Sequence, residues 1–516
     1  MADDTCNDRR SSVATDVTDV AATPASTSSL YVVDDQQRRL SQTPVPSSSS
    51  PSASSSRPFA FYRDLYTKDR LDFRALARDD PAFASVCTRP GQIDFRDPAA
   101  VRQLTVSLLR RDFGLTVTLP HDRLCPPVPN RLSYVIWVTE LVAATENGPP
   151  SPVVGLDIGT GASCIYPLLA CTVNPSWQCV ATDIDAESLT SARANVERNL
   201  LKERIKVITR SPDGSLVAVD ESDTDKLTFS MCNPPFYASA DEMAASATAK
   251  QQPPYSACTG APVEMVYSGA PLSLEKIVKI DSEDIGGEIA FVGRILAESL
   301  KLRNRVRWYT AMLGKLASLV ALVTQLRAHG IDNYAVTALV HGSKTRRWVL
   351  GWSFGPVRPT VAVARGGSDA VGLESYRHLL PAITEVEVFS VPRTSDAVSV
   401  GPAVDTILRG LELTSWDWDD KTLQGVGRTR ENVWGRAWRR KKQREERGDV
   451  SQEQDIKRLK KVEDGTVFGF VVTIRVGVAG TVVHCRWLEG HNEAIYQSFC
   501  GFLKTKLKES TSTKSA

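Results

Sequence analysis

The chain has 516 residues, 42% of them apolar and 24% charged, with 62 Lys and Arg against 60 Asp and Glu, a formal net charge of +2. This ordinary globular usage excludes a wholly disordered, collagen-like or disulfide-framework protein, and the length suggests two or three domains. A balance this close to neutral leaves any nucleic-acid footprint to local basic patches.

Residues 1–58 read as a disordered Ser/Pro-rich tail. Thirteen of the 18 residues from Ser41 to Pro58 are Ser or Pro, too few apolar groups to offset the entropy of ordering. Asp3, Asp4 and Asp8 with no apolar run exclude a secretory signal, and no apolar stretch reaches 18 residues, so no membrane span is expected. Residues 59–150 read as short helices with Pro-rich turns at Pro120 and Pro126-Pro127. From 151 to 355 strand-like and helix-like runs alternate. The strands are Val153 to Ile158, Gln178 to Thr182, Ile205 to Thr209 and Leu227 to Cys232, with helical spacing from Ala186 to Leu201. This alternation predicts a parallel, doubly wound α/β sheet. Residues 238–287 form a long polar excursion. Gly287 to Leu300 and Arg307 to His329 then read as helices, and Ala335 to Leu339 and Trp348 to Phe354 as closing strands. Residues 356–381 read as a linker to a small α+β unit, 382–516. That unit has strands at Val386 to Val391, Val467 to Val476 and Gly480 to Trp487, helices at Val404 to Leu413 and Asn492 to Lys508, and a basic stretch, 428–447, interrupting it. Ten cysteines without a C-x-x-C pair and six scattered histidines give no metal site, and none is expected.

Three strand ends carry chemistry. Leu156-Asp157-Ile158-Gly159-Thr160-Gly161-Ala162-Ser163 places glycines where the chain must turn and where a ligand approaches the backbone, ahead of a helix N-terminus that suits an anion. Alone, a G-x-G is a weak signal. The third glycine of the dinucleotide fingerprint is replaced by Cys164, which disfavours NAD. Asp183 ends the next strand, 22 residues after Gly161, the distance at which an acid meets ribose hydroxyls; capping the following helix is the alternative, a part Asp185 could equally play. Asn233-Pro234-Pro235-Phe236 follows the fourth strand. Two prolines fix the backbone and remove two N–H donors, leaving carbonyl acceptors beside the Asn carboxamide. Such a loop can hold both hydrogens of an exocyclic amine, with Phe236 as a stacking face for a planar base. The bland alternative is a Pro-rich turn.

This trio resembles class I S-adenosylmethionine-dependent amino-group methyltransferases, whose signature is an Asn/Asp-Pro-Pro-aromatic loop. The longer wording narrows the resemblance. Asp112-Phe113-Gly114-Leu115, Val128-Pro129-Asn130-Arg131-Leu132, Asp157 to Leu169, Met231 to Tyr237 and Arg307-Trp308-Tyr309 are similar to the methyltransferase-like protein 16 family over about residues 60–355. That family comprises RNA N6-adenosine methyltransferases acting on U6 small nuclear RNA, with bacterial relatives acting on ribosomal RNA. The resemblance implies a Rossmann-like class I fold with S-adenosylmethionine as cofactor. It implies structured RNA, U6 small nuclear RNA first, as partner, with no membrane and no obligate protein partner. It implies the nucleus as location, with the cytoplasm left open. Arg131, Gly159, Gly161, Ser163, Asp183, Ser215 and Asn233 would hold the cofactor. Asn233, Pro234, Pro235, Phe236 and Tyr237 would form the catalytic adenine pocket. The family's ribose acid is Glu where this chain has Asp183, and its lysine-bearing gating loop is replaced by Pro212-Asp213-Gly214. Pro262-Val263-Glu264-Met265 and Gly286-Gly287-Glu288, close together in the family, are here separated by an apparent insertion at about 270–285. Lys344 and Arg347 match family arginines in an RNA-facing groove.

Two basic tracts are candidate RNA contacts. Lys301 to Tyr309 combines Arg303, Arg305 and Arg307 with Trp308 and Tyr309, which suits phosphate neutralisation with base stacking, or a charged helix face. Trp434 to Arg444 has six basic residues in eleven, including Arg439 and Arg440, and suits RNA binding, nuclear import or a solvated charge run. The 59–150 segment, with Arg63, Lys68, Arg70, Arg74 and Arg78, would extend the RNA surface. Two rival readings stay open: a ribosomal RNA base methyltransferase (adenine-N6 or guanine-N2), and an RNA-binding protein whose methyl transfer is secondary.

Overall fold

The apolar run that ends at Gly159 forms the central strand of the computed structural model. β1 (Val154–Ile158) is buried along its whole length, as a strand covered by helices on both faces should be. It pairs in parallel with β2 (Gln178–Asp183) on one side and β4 (Leu227–Cys232) on the other. β3 (Ile205–Thr209) lies outside β2 and β5 (Val306–Leu313) outside β4, both parallel. An antiparallel hairpin, β6 (Asn333–His341) and β7 (Thr345–Ser353), completes the order β3-β2-β1-β4-β5-β7-β6. Helices Val128–Ala144, Ile165–Val173 and Ala186–Arg198 pack on one face. Helices Gly287–Leu302 and Leu316–Ala328 pack on the other.

The structure describes residues 57–66, 71–146, 148, 151–221, 226–249, 261–267, 287–341, 345–366, 374–392, 397–447 and 468–512. The tail expected over 1–58 lies outside them except for Arg57 and Pro58, as do Lys344 and the insertion at 270–285. The chain divides after Ala53, and every described residue belongs to the second unit. No helix among the described residues is long and apolar enough to cross a membrane.

One expectation is corrected. Arg307 to His329 is not a single helix: Val306–Leu313 is β5, and the helix begins at Leu316. A central strand buried on both faces has a near-continuous apolar run, which periodicity does not separate from a buried helix. Trp308 and Tyr309 are therefore core residues, both 0% exposed. The Trp308 indole N–H donates to Thr145 Oγ1 at 2.9 Å, and Tyr309 stacks on Trp352.

The C-terminal unit is an antiparallel sheet of β8 (Glu385–Pro392), β9 (Ser415–Asp419), β10 (Gln424–Thr429), β11 (Phe468–Gly477) and β12 (Gly480–Glu489), ordered β8-β12-β11-β10-β9. Helices Ala397–Arg409 and Glu493–Ser512 bury Val404 and Phe499 in a core with Phe470 and Trp487. The basic stretch expected to interrupt this unit starts inside β10. Its Trp434 is buried against Phe468 and Phe499, because an indole gains more in that aromatic cluster than in water. Helix Arg436–Glu446 follows, with Arg439 and Arg440 exposed. Residues read as a linker tie the two sheets together. Arg358, 2% exposed, donates to Gly490 O at 2.8 Å and to Asp332 Oδ2 at 2.6 Å, and its guanidinium lies 4.2 Å from the Trp487 ring centre.

Candidate active site

The carboxyl ends of β1, β2 and β4 meet at one cavity of about 300 Å³, where open α/β sheets place ligands. After β1 the backbone turns through Gly159 (φ +74°) and Gly161 (φ +61°), a left-handed conformation that glycine adopts freely. Gly159 N and Thr160 N both donate to Thr182 O at 2.9 Å, which binds the turn to β2. Asp183 completes the clamp. Its Oδ2 accepts from Gly161 N at 2.8 Å, and its Oδ1 accepts from Ile184 N and Asp185 N at 2.8 and 3.0 Å. Burial raises its carboxyl above the usual range, against the pull of those amides. Asp185, not Asp183, caps helix Ala186–Arg198 by accepting from Ser188 N, so Asp183 is free of the alternative part it was weighed for.

At the tip of β4, Arg131 donates through one nitrogen to Asn233 Oδ1 at 2.9 Å and to the Tyr166 hydroxyl at 2.7 Å. Arginine carries donors only, so the carboxamide presents its oxygen to Arg131. Phe236 is seated by elements remote in sequence. A Cβ on Gly314 would lie 3.1 Å from its ring. The turn at Gly314 is held by Glu288, fully buried, which accepts from Gly314 N at 2.8 Å, from Lys315 N at 3.1 Å and from Ser318 Oγ. Its neighbour Gly287 abuts the Tyr237 carbonyl. The Gly287-Glu288 pair, noted above without a role, thus supports both ends of the Phe236-Tyr237 segment.

All seven predicted cofactor residues, Arg131, Gly159, Gly161, Ser163, Asp183, Ser215 and Asn233, line the cavity, together with Pro235. Pro234, Phe236 and Tyr237 stand just outside its lining, on the same loop. The loop before Ser215 is tied to helix Gly287–Leu302. Arg294 donates to Pro212 O and Gly214 O, and Glu298 accepts from Ser215 Oγ at 2.7 Å and from Leu216 N at 3.0 Å. Arg347, on β7, lies 5.8 Å from the Phe236 ring centre, within cation–π range.

Trp308 and Tyr309 are buried, which corrects base stacking by the Lys301 to Tyr309 tract, while Arg303, Arg305 and Arg307 stand around the start of β5. Val306 pairs with Leu227 at the start of β4, whereas Asn233 follows its end. Six residues of strand span about 20 Å, so these arginines sit at the opposite edge of the sheet from the catalytic loop. Arg303 stacks on Phe354 and Arg305 pairs with Asp220 at 2.8 Å. The aromatic partners proposed for base stacking there are buried.

Asp157, beneath the glycine turn, is 2% exposed, and the buried Thr160 side chain supplies a hydroxyl to its carboxylate. Arg131 Nε is buried without a hydrogen-bond partner. A buried guanidinium N–H without a partner, on a residue that lines this cavity, fits a ligand that brings a carboxylate, as the amino-acid end of S-adenosylmethionine does. Burial pushes the Asp157 carboxyl up to about 7. Because this lies above the value near 3.9 of an unfolded chain, the protonated form favours folding. The stabilisation is complete below about pH 4 and is lost as pH rises through about 7. A difference of roughly 3 pH units corresponds to about 4 kcal/mol as an upper figure. Asp157→Asn should therefore flatten the fall in stability of the ligand-free protein between pH 5 and 8, read by urea denaturation. Parallel pH curves for variant and wild type would refute the assignment.

A family model described as RNA methyltransferase matches residues 58–356. The U6 small nuclear RNA (adenine-(43)-N(6))-methyltransferase of Schizosaccharomyces pombe is 33% identical over 420 residues, covering 81% of this chain and 96% of that protein. The RNA N(6)-adenosine-methyltransferase mettl16 of Danio rerio is 36% identical over 360 residues, covering 68% and 71%. Against the METTL16 protein of Homo sapiens the match is 39% over 300 residues and takes in 50% of that protein. A crystal structure of the hMettl16 catalytic domain in complex with the MAT2A 3′UTR hairpin 1 is 39% identical, with a TM-score of 0.48, and covers 57% of this chain and 94% of that one. By the span of the family model and the near-complete coverage of the S. pombe enzyme, the chain belongs to this family of RNA methyltransferases.

Proposed function

We propose that the chain is an S-adenosylmethionine-dependent RNA adenine-N6 methyltransferase that acts on U6 small nuclear RNA in the nucleus. The observation that carries the reading is the Asn233 carboxamide. It sits at the β4 tip, on the wall of the cavity that also holds the glycine turn and Asp183, with its oxygen fixed by Arg131. Family membership and relatives whose names specify U6 small nuclear RNA point the same way.

The cofactor supplies a methyl group on a positively charged sulfur, so the residues need only bind, orient and exclude water. Asn233 Oδ1 has a second lone pair beyond the one facing Arg131, and it accepts a hydrogen of the adenine amine there. Accepting that hydrogen draws the nitrogen towards tetrahedral geometry and stabilises charge that develops as the methyl arrives. Phe236 offers its ring to the base, which must leave its stack to reach the loop. Arg347, beside that ring, and Arg439 and Arg440 on the accessory unit neutralise phosphates. By resemblance, Lys344 would add a further cation for the RNA.

The test is methyl transfer from labelled S-adenosylmethionine to transcribed U6 small nuclear RNA, followed by digestion and mass spectrometry of the nucleosides. N6-methyladenosine is expected. Another methylated nucleoside would overturn the acceptor, and an unmethylated transcript that is nonetheless bound would favour a binding role.

A further inference from the structure

Residues 261–267 belong to the excursion that the sequence presents as a loop, yet they form a strap across the cavity. At one end the strap joins the catalytic loop: Tyr237 N donates to Met265 O at 3.0 Å, and Tyr267 N donates to Tyr237 O at 2.8 Å. At the other end it joins the segment before helix Val128–Ala144 through Glu264. One oxygen of that carboxylate, Oε2, accepts from Leu124 N at 2.9 Å and from Ala261 N at 3.0 Å. The other, Oε1, faces the glycine turn, and a Cβ added to Gly161 would lie 3.6 Å from it. Val263, Glu264, Val266 and Tyr267 all line the cavity.

We propose that Glu264 is the second carboxylate of the ribose subsite: Asp183 and Glu264 flank Gly161, and each accepts one hydroxyl of the ribose diol. The proposal rests on the reading of Asp183 as the ribose acid. It follows from counting lone pairs. A carboxylate offers about four acceptor positions. Asp183 already accepts three backbone N–H groups, from Gly161, Ile184 and Asp185, which leaves room for one hydroxyl. A vicinal diol brings two. Oε1 of Glu264 supplies acceptor positions on the same glycine, while Oε2 is held rigidly by its two amides. The charged neighbours agree. Glu264 senses Arg123 and Asp183, and Arg123 pairs with Asp185 at 3.1 Å and with Glu187, so Glu264 belongs to the β2 end of the cavity and not to the Arg131–Asn233 end. Burial already raises its carboxyl above the usual range, as expected of an acceptor waiting in a cavity for a donor.

The test uses the full chain and displacement of labelled S-adenosylhomocysteine by adenosine, 2′-deoxyadenosine and 3′-deoxyadenosine. Glu264→Gln should weaken adenosine by roughly 10-fold or more, the loss typical of a hydrogen bond to a charged group. For the deoxy analogue that lacks the hydroxyl held by Glu264, wild type and variant should be equal, since removing either partner removes the same interaction. Equal weakening of all three ligands would reduce Glu264 to an anchor of the strap and overturn the proposal. So would unchanged affinity for all three. Asp183→Ala is the companion variant: if it binds all three ligands like wild type, the ribose reading itself fails, an outcome distinct from failure of Glu264 alone.

Discussion

Gly287→Ala is expected to lower methyl transfer by roughly 10²-fold and to destabilise the fold by about 1–3 kcal/mol. A Cβ at Gly287 would stand 2.2 Å from the carbonyl oxygen of Tyr237 and 2.7 Å from its carbonyl carbon. Neither atom belongs to a flexible side chain. The same carbonyl accepts from Tyr267 N, and the Tyr237 amide donates to Met265 O, so that backbone is held from its other side by the strap. It cannot retreat without dragging Phe236 and the strap with it. A shift of about 1 Å in a loop that positions a reacting group is enough for a loss of that size. Gly501→Ala is the control. Nothing lies within 4 Å of a Cβ there, and the residue is inside helix Glu493–Ser512. Ala in a helix interior is favoured over Gly by roughly 0.5–1 kcal/mol, so this variant should melt at or above the wild-type temperature and keep full activity. Melting curves and initial rates for the pair check both statements. A fully active Gly287→Ala protein would show that the catalytic loop is not braced from this side.

What was legible in the sequence follows from where the information lies. β1, β2 and β4 were readable because each is a short apolar run stopped by a residue with its own reason to be there: Gly159, Asp183 and Asn233. The order of a parallel sheet then brings those stops to one end of the strands, where they line a single cavity; Arg131, Ser163 and Ser215, which line it too, were implied by the resemblance alone. β5 was not readable, because its apolar run continues, with only Gly314 and Lys315 between, into that of helix Leu316–Ala328, and burial on both faces leaves no alternation to divide the two. That single misassignment had a functional consequence. Arg303, Arg305 and Arg307 were read with Trp308 and Tyr309 as stacking partners; in β5 those rings are buried, and the arginines stand at the amino end of the strand, away from the catalytic loop. Glu264 and Glu288 were also beyond reach as functional residues. Each acts through backbone amides far away in sequence, Leu124 for one and Gly314 for the other, and no local spacing encodes such partners.

Asn233→Ala should reduce methyl transfer by roughly 10²–10³-fold, the range seen when one preorganised hydrogen-bonding group is removed from a reacting centre, while RNA affinity stays within a few-fold. The separation of the two readouts is the substance of the prediction. Asn233 follows the end of β4 and takes no part in the sheet; its side chain accepts from Arg131, itself 6% exposed and bonded to the Tyr166 hydroxyl. Removing the carboxamide therefore leaves the strand intact. Pro234 and Pro235 still fix the backbone, and Phe236 remains against Gly314. The β4 tip is separately secured, since Cys232 N donates to the Tyr134 hydroxyl, and that hydroxyl shares a hydrogen bond of 2.7 Å with Thr310. What is lost is the acceptor facing the amine, together with a partner for a buried guanidinium. Asn233→Asp tells those two losses apart. Aspartate keeps an oxygen for the amine and offers Arg131 a carboxylate, so it should recover part of the rate that alanine loses. If alanine and aspartate variants are equally inactive and both also lose RNA affinity, the loop is a structural support of the RNA surface and the acceptor role of Asn233 is wrong.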